Sequence, residues 1–120
     1  MQSRKLQWLY DYFFNYVELI LLRYILKMVF ANFVVTGFKR RQKNIVEVEN
    51  KSQRLRNERN ISESKAFADH ALFLKQELGR YFQQNREILV GCGMIPIYRV
   101  GVPAITDTEL QIADDYNSKN

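Results

Sequence analysis

The sequence feature that most restricts the fold is a dense apolar stretch in the first third of the chain. Between positions 17 and 38, 16 of 22 residues are apolar or Tyr, and the exceptions are Glu18, Arg23, Lys27, Asn32, Thr36 and Gly37. No proline precedes Pro96, so proline does not interrupt a helix here. As a helix, this stretch would rise about 33 Å, close to the ~30 Å hydrocarbon thickness of a bilayer. It therefore predicts a transmembrane helix over residues 17–38.

The flanking segments contain residue types that favour a membrane interface. Residues 1–16 hold an aromatic cluster of the kind found at headgroup level, formed by Trp8, Tyr10, Tyr12, Phe13, Phe14 and Tyr16. After the stretch come four cations that we expect to bind anionic headgroups of the cardiolipin type: Lys39, Arg40, Arg41 and Lys43. They outnumber Arg4 and Lys5 on the other side. The positive-inside tendency therefore predicts that the C-terminal part lies on the cytoplasmic or matrix side.

Charge is as uneven as hydropathy along the 120 residues. Residues 1–60 contain 12 Lys and Arg against 5 Asp and Glu, whereas residues 61–120 contain 6 against 8. The first half is thus strongly basic and the second half slightly acidic. Such asymmetry indicates that the first half meets an anionic partner, either lipid headgroups or nucleic acid.

Charged side chains inside the apolar stretch indicate that this helix has protein neighbours. Arg23 and Lys27 lie 40° apart on one helical face, and Glu18 and Asn32 lie on roughly the opposite face. A cation near the centre of a span costs roughly 2.5–3.5 kcal/mol, so the helix would be marginal alone in lipid. We therefore expect these four residues to contact partner subunits. The alternatives are an ion path through Arg23 and Lys27, an uncleaved internal signal, or a soluble amphipathic or core helix.

The remaining segments complete a prediction of an all-α chain with an N-terminal transmembrane helix. Residues 39–60 are predicted to form a basic, solvated helical connector, and residues 61–90 an amphipathic docking helix. The docking seam of that helix comprises Phe67, Ala71, Leu74, Leu78, Tyr81 and Ile88. Residues 91–120, with Pro96 and Pro103, predict an extended arm on a neighbour's surface, followed by an acidic tail that would fray if unsupported.

The residues that could carry catalysis or bind a metal are few. One Cys and one His exclude a disulfide framework and multi-cysteine zinc sites. Asp69 and His70 are adjacent and would point about 100° apart on a helix, so they make a poor relay for Cys92. We therefore expect no enzymatic activity, no metal or other cofactor and no small-molecule substrate.

The overall plan resembles that of supernumerary single-span subunits of mitochondrial inner-membrane complexes, such as respiratory or ATP synthase complexes. The resemblance implies a non-catalytic accessory subunit that acts in assembly and stability, with its C-terminal part on the matrix side. The alternative is a soluble basic helical RNA-binding protein, such as a peripheral organellar ribosomal protein. In that case the aromatic-rich first helix would pack on residues 67–88 and the basic residues would contact phosphate.

Overall fold

A computed structural model of the chain confirms the predicted all-α class. It describes the backbone of residues 2–119 and the side chains of residues 6–119, so the side chains of Arg4 and Lys5 and the outermost ends of predicted segments 1–16 and 91–120 lie outside the described part of the chain. Helix α1 spans Gln2–Asn57, α2 Ile61–Gln84, α3 Arg86–Gly91 and α4 Asp107–Lys119. The chain divides into two compact units, one ending at Asn32 and the other beginning at Phe33.

The second unit is built around an antiparallel hairpin of α1 and α2. Its core contains Val34, Phe38, Ile45, Leu78, Phe82, Leu89 and Val90. The rings of Phe38 and Phe82 have centroids 6.3 Å apart. Residues 34 and 38 belong to the segment that the sequence predicted as membrane span. Packing on α2 explains why these two positions are apolar. The exposed apolar part of α1 therefore ends before residue 34, earlier than the sequence indicated.

The turn between α1 and α2 depends on an unusual backbone conformation at Arg59. The amide of Arg59 donates to Arg56 O at 3.0 Å, and the amide of Asn60 donates to Leu55 O at 2.9 Å. This paired capping pattern ends many helices and favours glycine at its left-handed position. Arg59 occupies that position with φ of 62°. The turn therefore carries backbone strain that glycine would relieve.

The arm after α3 packs on its own chain. Gly93, with φ of 76°, reverses the chain, and the Met94 amide donates to Leu89 O at 2.8 Å. Apolar arm residues then cover the hairpin core: Met94, Ile95, Tyr98 and Val102. At Gly79 the arm approaches so closely that a Cβ would collide with Val100 O. The predicted arm is thus extended, and part of its apolar surface packs on the hairpin of the same chain, where Gly79 allows a close approach to α2.

The acidic tail forms α4 instead of fraying. Thr106 and Glu109 make a reciprocal cap, in which the Glu109 amide donates to Thr106 Oγ1 at 3.2 Å and the Thr106 amide donates to Glu109 Oε1 at 3.1 Å. Arg86 donates through Nε and Nη2 to both carboxylate oxygens of Glu109, at 2.5 and 2.7 Å. This cap and ion pair give the tail the support without which it was expected to fray.

Candidate membrane segment and its polar side chains

The first unit is a helix whose apolar side chains are exposed. Between Leu6 and Phe30, eighteen large apolar or aromatic side chains are each at least 49% exposed. In the most apolar 18-residue stretch of α1, which has a mean hydropathy of 1.8, only 6% of the stretch is buried. A core helix of a soluble protein can be equally apolar, but it would be mostly buried. Within the described residues, α1 is the one helix long and apolar enough to cross a membrane, which supports membrane association.

The exposed apolar segment is long enough for a bilayer without the residues that pack in the hairpin. From Leu6 to Asn32 a helix rises roughly 40 Å, compared with about 30 Å of hydrocarbon. Aromatic side chains dominate its first half, where Trp8 and Tyr12 stack with ring centroids 5.9 Å apart and Tyr10 and Phe14 lie 5.2 Å apart. The segment therefore combines a spanning length with an aromatic end.

The structure leaves the predicted intramembrane contact residues on the surface. Glu18, Arg23, Lys27 and Asn32 are all exposed. Among the described residues, Arg23 and Lys27 form no ion pair with a carboxylate. An unpaired cation near a bilayer centre costs roughly 2.5–3.5 kcal/mol, so both side chains need polar neighbours if this segment spans.

Of the four predicted headgroup cations, the structure separates one from the other three. Lys39, Arg40 and Lys43 are exposed. Arg41 is half-buried, donates from Nη1 to Gly37 O at 3.1 Å, and places its guanidinium 4.0 Å from the centroid of the Tyr81 ring. Arg41 is therefore part of the helix contact, and three cations remain available for an anionic surface.

The predicted docking seam lies against the second half of α1. Ala71 and Leu78 are buried, and the other seam residues, Phe67, Leu74, Tyr81 and Ile88, are half-buried. The Tyr81 hydroxyl donates to Val34 O at 2.8 Å, and Lys51 Nζ lies 4.6 Å from the centroid of the Phe67 ring. The seam thus packs within this chain.

Sequence reasoning missed a polar network that ties the arm to the hairpin. Glu49 pairs with Lys75, and the Tyr98 hydroxyl donates to Glu49 Oε2 at 2.7 Å. These two hydrogen bonds, the first from Lys75, lower the pKa of Glu49. The bond to Glu49 raises the pKa of Tyr98. Their separation of 26 to 49 positions along the sequence left no local pattern that could have revealed the contact.

A second such network centres on Arg86. Besides Glu109, its guanidinium donates to Ala104 O at 3.1 Å and to Gln83 Oε1 at 3.0 Å. The bond from Arg86, followed by that from the Thr106 amide, lowers the pKa of Glu109 to about 2. The bond to Glu109 raises the pKa of Arg86. The Glu49 network holds the arm and the Arg86 network holds α4, so both networks stabilise the fold.

Other groups that could carry chemistry are dispersed. Asp69 and His70 are exposed on α2, and Cys92 is half-buried after α3. In the part of the chain that the structure describes, no three His, Cys, Asp or Glu side chains are grouped to hold a metal ion. No protein-family model matches the chain, and no curated protein or solved structure matches it.

Proposed function

We propose that the protein is a membrane-anchored, non-catalytic accessory subunit of a larger membrane complex. The observation that carries the proposal is the row of eighteen exposed large apolar side chains between Leu6 and Phe30. Each large aromatic residue offers roughly 150–250 Å² for burial, whereas a monomeric soluble protein rarely exposes an apolar patch above a few hundred Å². Lipid and neighbouring helices would cover this surface, and the small folded unit after Phe33 would contact the rest of the complex.

The finer proposal places the subunit in the mitochondrial inner membrane, with its C-terminal part on the matrix side. Lys39, Arg40 and Lys43 follow the apolar segment and are exposed, which supports contact with anionic, cardiolipin-type headgroups. These three cations also outnumber Arg4 and Lys5 at the other end, as the positive-inside tendency requires for this orientation. Subunits of a respiratory or ATP synthase complex are the partners that this location supplies.

In the alternative of a soluble RNA-binding protein, the exposed aromatic side chains at the start of α1 would have to be buried against protein. This alternative expects the aromatic-rich first helix to pack on residues 67–88 as an α-hairpin. In the structure α1 does form a hairpin with α2, but through residues 34–52, as shown by Phe38 with Phe82 and Ser52 with Ser64. The aromatic residues therefore stay exposed, which favours the membrane proposal.

Alkaline carbonate extraction, followed by native electrophoresis of the detergent-solubilised pellet, tests the proposal. Leu21→Asp and Leu72→Asp form a matched pair, since the two leucines are 53% and 49% exposed but lie in different units. We expect wild type and Leu72→Asp to remain in the pellet and migrate with a large complex, and Leu21→Asp to be extracted in part. Complete extraction of the wild type would overturn the membrane proposal and leave RNA binding as the candidate. Retention with migration as a free protein would overturn the accessory-subunit proposal.

A further inference from the structure

The apolar segment of α1 carries two polar faces of opposite chemistry. At 100° per residue, the two faces are separated by about 140° around the helix. The amide and acidic face contains Gln7, Asp11 and Glu18, and the hydroxyl and cationic face contains Tyr12, Tyr16, Arg23 and Lys27. All of these side chains are exposed. A helix in lipid needs a polar neighbour on both faces.

The two faces share one repeated spacing along the helix. In three cases a hydrogen-bond donor on one face lies five residues after an acceptor on the other, and these pairs are Gln7 with Tyr12, Asp11 with Tyr16, and Glu18 with Arg23. Five residues correspond to about 7.5 Å of axial rise. Helical side chains lean toward the N-terminus, and Tyr and Arg are longer than Gln, Asp and Glu, so each donor reaches back part of the way toward the level of its acceptor.

We infer that the segment binds a second copy of this chain, with Arg23 of one copy against Glu18 of the other. The inference rests on the proposed membrane insertion and names one of the neighbours within it. Insertion places all copies parallel, which is the orientation in which the spacing of five residues repeats along the contact. A parallel two-fold dimer satisfies this pairing at both edges of the contact, because Arg23 of each copy then faces Glu18 of the other, as the e and g positions do in a parallel coiled coil.

The fourth member of the cationic face has no counterpart in this arrangement. Leu22 lies five residues before Lys27, at the position where an acceptor would be needed. Lys27 is therefore left for a carboxylate or carbonyl of another subunit. In the described structure the Gln7 amide donates to Asp11 Oδ1 at 3.5 Å, which leaves the second carboxylate oxygen of Asp11 available to a Tyr16 hydroxyl.

Charge exchange between two differently tagged copies tests the inference, with co-purification from detergent-solubilised membranes as the readout. Glu18→Lys places a cation against Arg23, and Arg23→Glu places an acid against Glu18. We therefore expect each variant alone to lose roughly tenfold in self-association. Co-expression of the two variants restores opposite charges at both contacts, so we expect them to bind each other. Tyr24→Ala, on the remaining face about 100° away, serves as the control and should co-purify like wild type.

Carbonate extraction of every variant separates failure of this inference from failure of the proposed function. If the proteins stay in the membrane but wild-type copies do not co-purify, self-association is wrong and the span stands. If single variants lose association and their mixture does not regain it, the pairing of Glu18 with Arg23 is wrong. If the wild type is extracted by carbonate, the span and the intramembrane contact both fail.

Discussion

Ser52 of α1 and Ser64 of α2 exchange hydrogen bonds across the hairpin. The Ser52 hydroxyl donates to Ser64 O at 2.8 Å and the Ser64 hydroxyl donates to Ser52 O at 2.9 Å. The two hydroxyl oxygens lie 3.3 Å apart, and both residues are buried. Each side chain therefore bonds the backbone of the opposite helix, which holds the two helices close together near the turn.

This exchange predicts a coupled loss of stability when the serines are replaced. A net intramolecular hydrogen bond contributes about 1 kcal/mol, so Ser52→Ala and Ser64→Ala should each lower the free energy of unfolding by about that amount. The double variant should lose less stability than the sum of the two single losses, because the two serines belong to one contact. Chemical denaturation of the detergent-solubilised protein measures these values. Ser62→Ala, at an exposed serine in the same helix, should change little, and an equal loss there would contradict the prediction.

The left-handed backbone at Arg59 predicts a stabilising substitution. Arg59→Gly removes the steric cost of φ at 62° and should raise the free energy of unfolding by about 0.5–1 kcal/mol. Arg56→Gly is the matched control, because Arg56 lies within the last turn of α1 and glycine should cost about 1 kcal/mol there. Thermal unfolding monitored by circular dichroism distinguishes the two. A fall in melting temperature for Arg59→Gly would show that the turn does not adopt this conformation.

Contact between the arm and α2 predicts different responses at two glycines. A Cβ at Gly79 would collide with Val100 O, so Gly79→Ala should lower the free energy of unfolding by about 1–3 kcal/mol and displace the arm. A Cβ at Gly91 meets nothing within 4 Å, so Gly91→Ala should be neutral or slightly stabilising. Amide hydrogen exchange should show faster exchange over residues 94–102 in the first variant alone. Unchanged exchange there would mean that the arm does not pack on α2.

The ion pair of Arg86 and Glu109 predicts how stability responds to acid. The folded pKa of Glu109 is about 2, below the ordinary value of about 4.3, so its contribution is present above about pH 4.3 and is lost as pH falls toward 2. Glu109→Gln should be less stable than wild type at pH 7, and the two melting temperatures should converge near pH 2. A smaller acid response persists in the variant, because Lys75 and Tyr98 also lower the pKa of Glu49.

Glu87→Gln provides the control for this titration. Glu87 is exposed on α3, one residue from Arg86, and should leave the profile of melting temperature against pH close to that of wild type. Equal profiles for Glu109→Gln and wild type between pH 5 and 2 would contradict the assigned ion pair.

The separate environment of Arg41 predicts two classes of effect within the basic cluster. Arg41→Gln removes the contact with the Tyr81 ring and the bond to Gly37 O, so it should lower the melting temperature. Arg40→Gln, at an exposed neighbour, should leave the melting temperature unchanged and weaken association with vesicles that contain cardiolipin. Calorimetry and vesicle flotation measure the two effects. If Arg41→Gln weakened vesicle association as much as Arg40→Gln and left the melting temperature unchanged, Arg41 would belong with the lipid-binding cations.

Sequence periodicity predicted the helices well where one face is buried. The spacing from Phe67 to Ile88 placed an amphipathic helix, which the structure has as α2 and α3. The part of α1 that packs on this helix was harder to predict, because its buried residues Ile45 and Ser52 lie seven positions apart among mostly polar neighbours. A buried serine pair looks solvated in a hydropathy pattern, although Ser52 and Ser64 are satisfied across the helix contact.

Elements held by distant side chains could not be predicted from local pattern. Residues 107–119 do have a local helix signal in the capping box of Thr106 and Glu109, but their attachment to the rest of the chain comes from Arg86, more than twenty positions away, bonding Glu109. Likewise, hydropathy alone assigned Val34 and Phe38 to lipid, since an apolar side chain that packs on protein has the same sequence signal as one that faces a membrane.

The antiparallel hairpin also sets an order of events during synthesis. Phe82 is added 44 residues after Phe38, which at about 5–20 residues per second takes roughly 2–9 s. During that interval Phe38 and Ile45 have been made but their partners on α2 have not. The apolar first part of α1 therefore leaves the ribosome before the hairpin can close, and a chain that ends before α2 keeps these core residues uncovered.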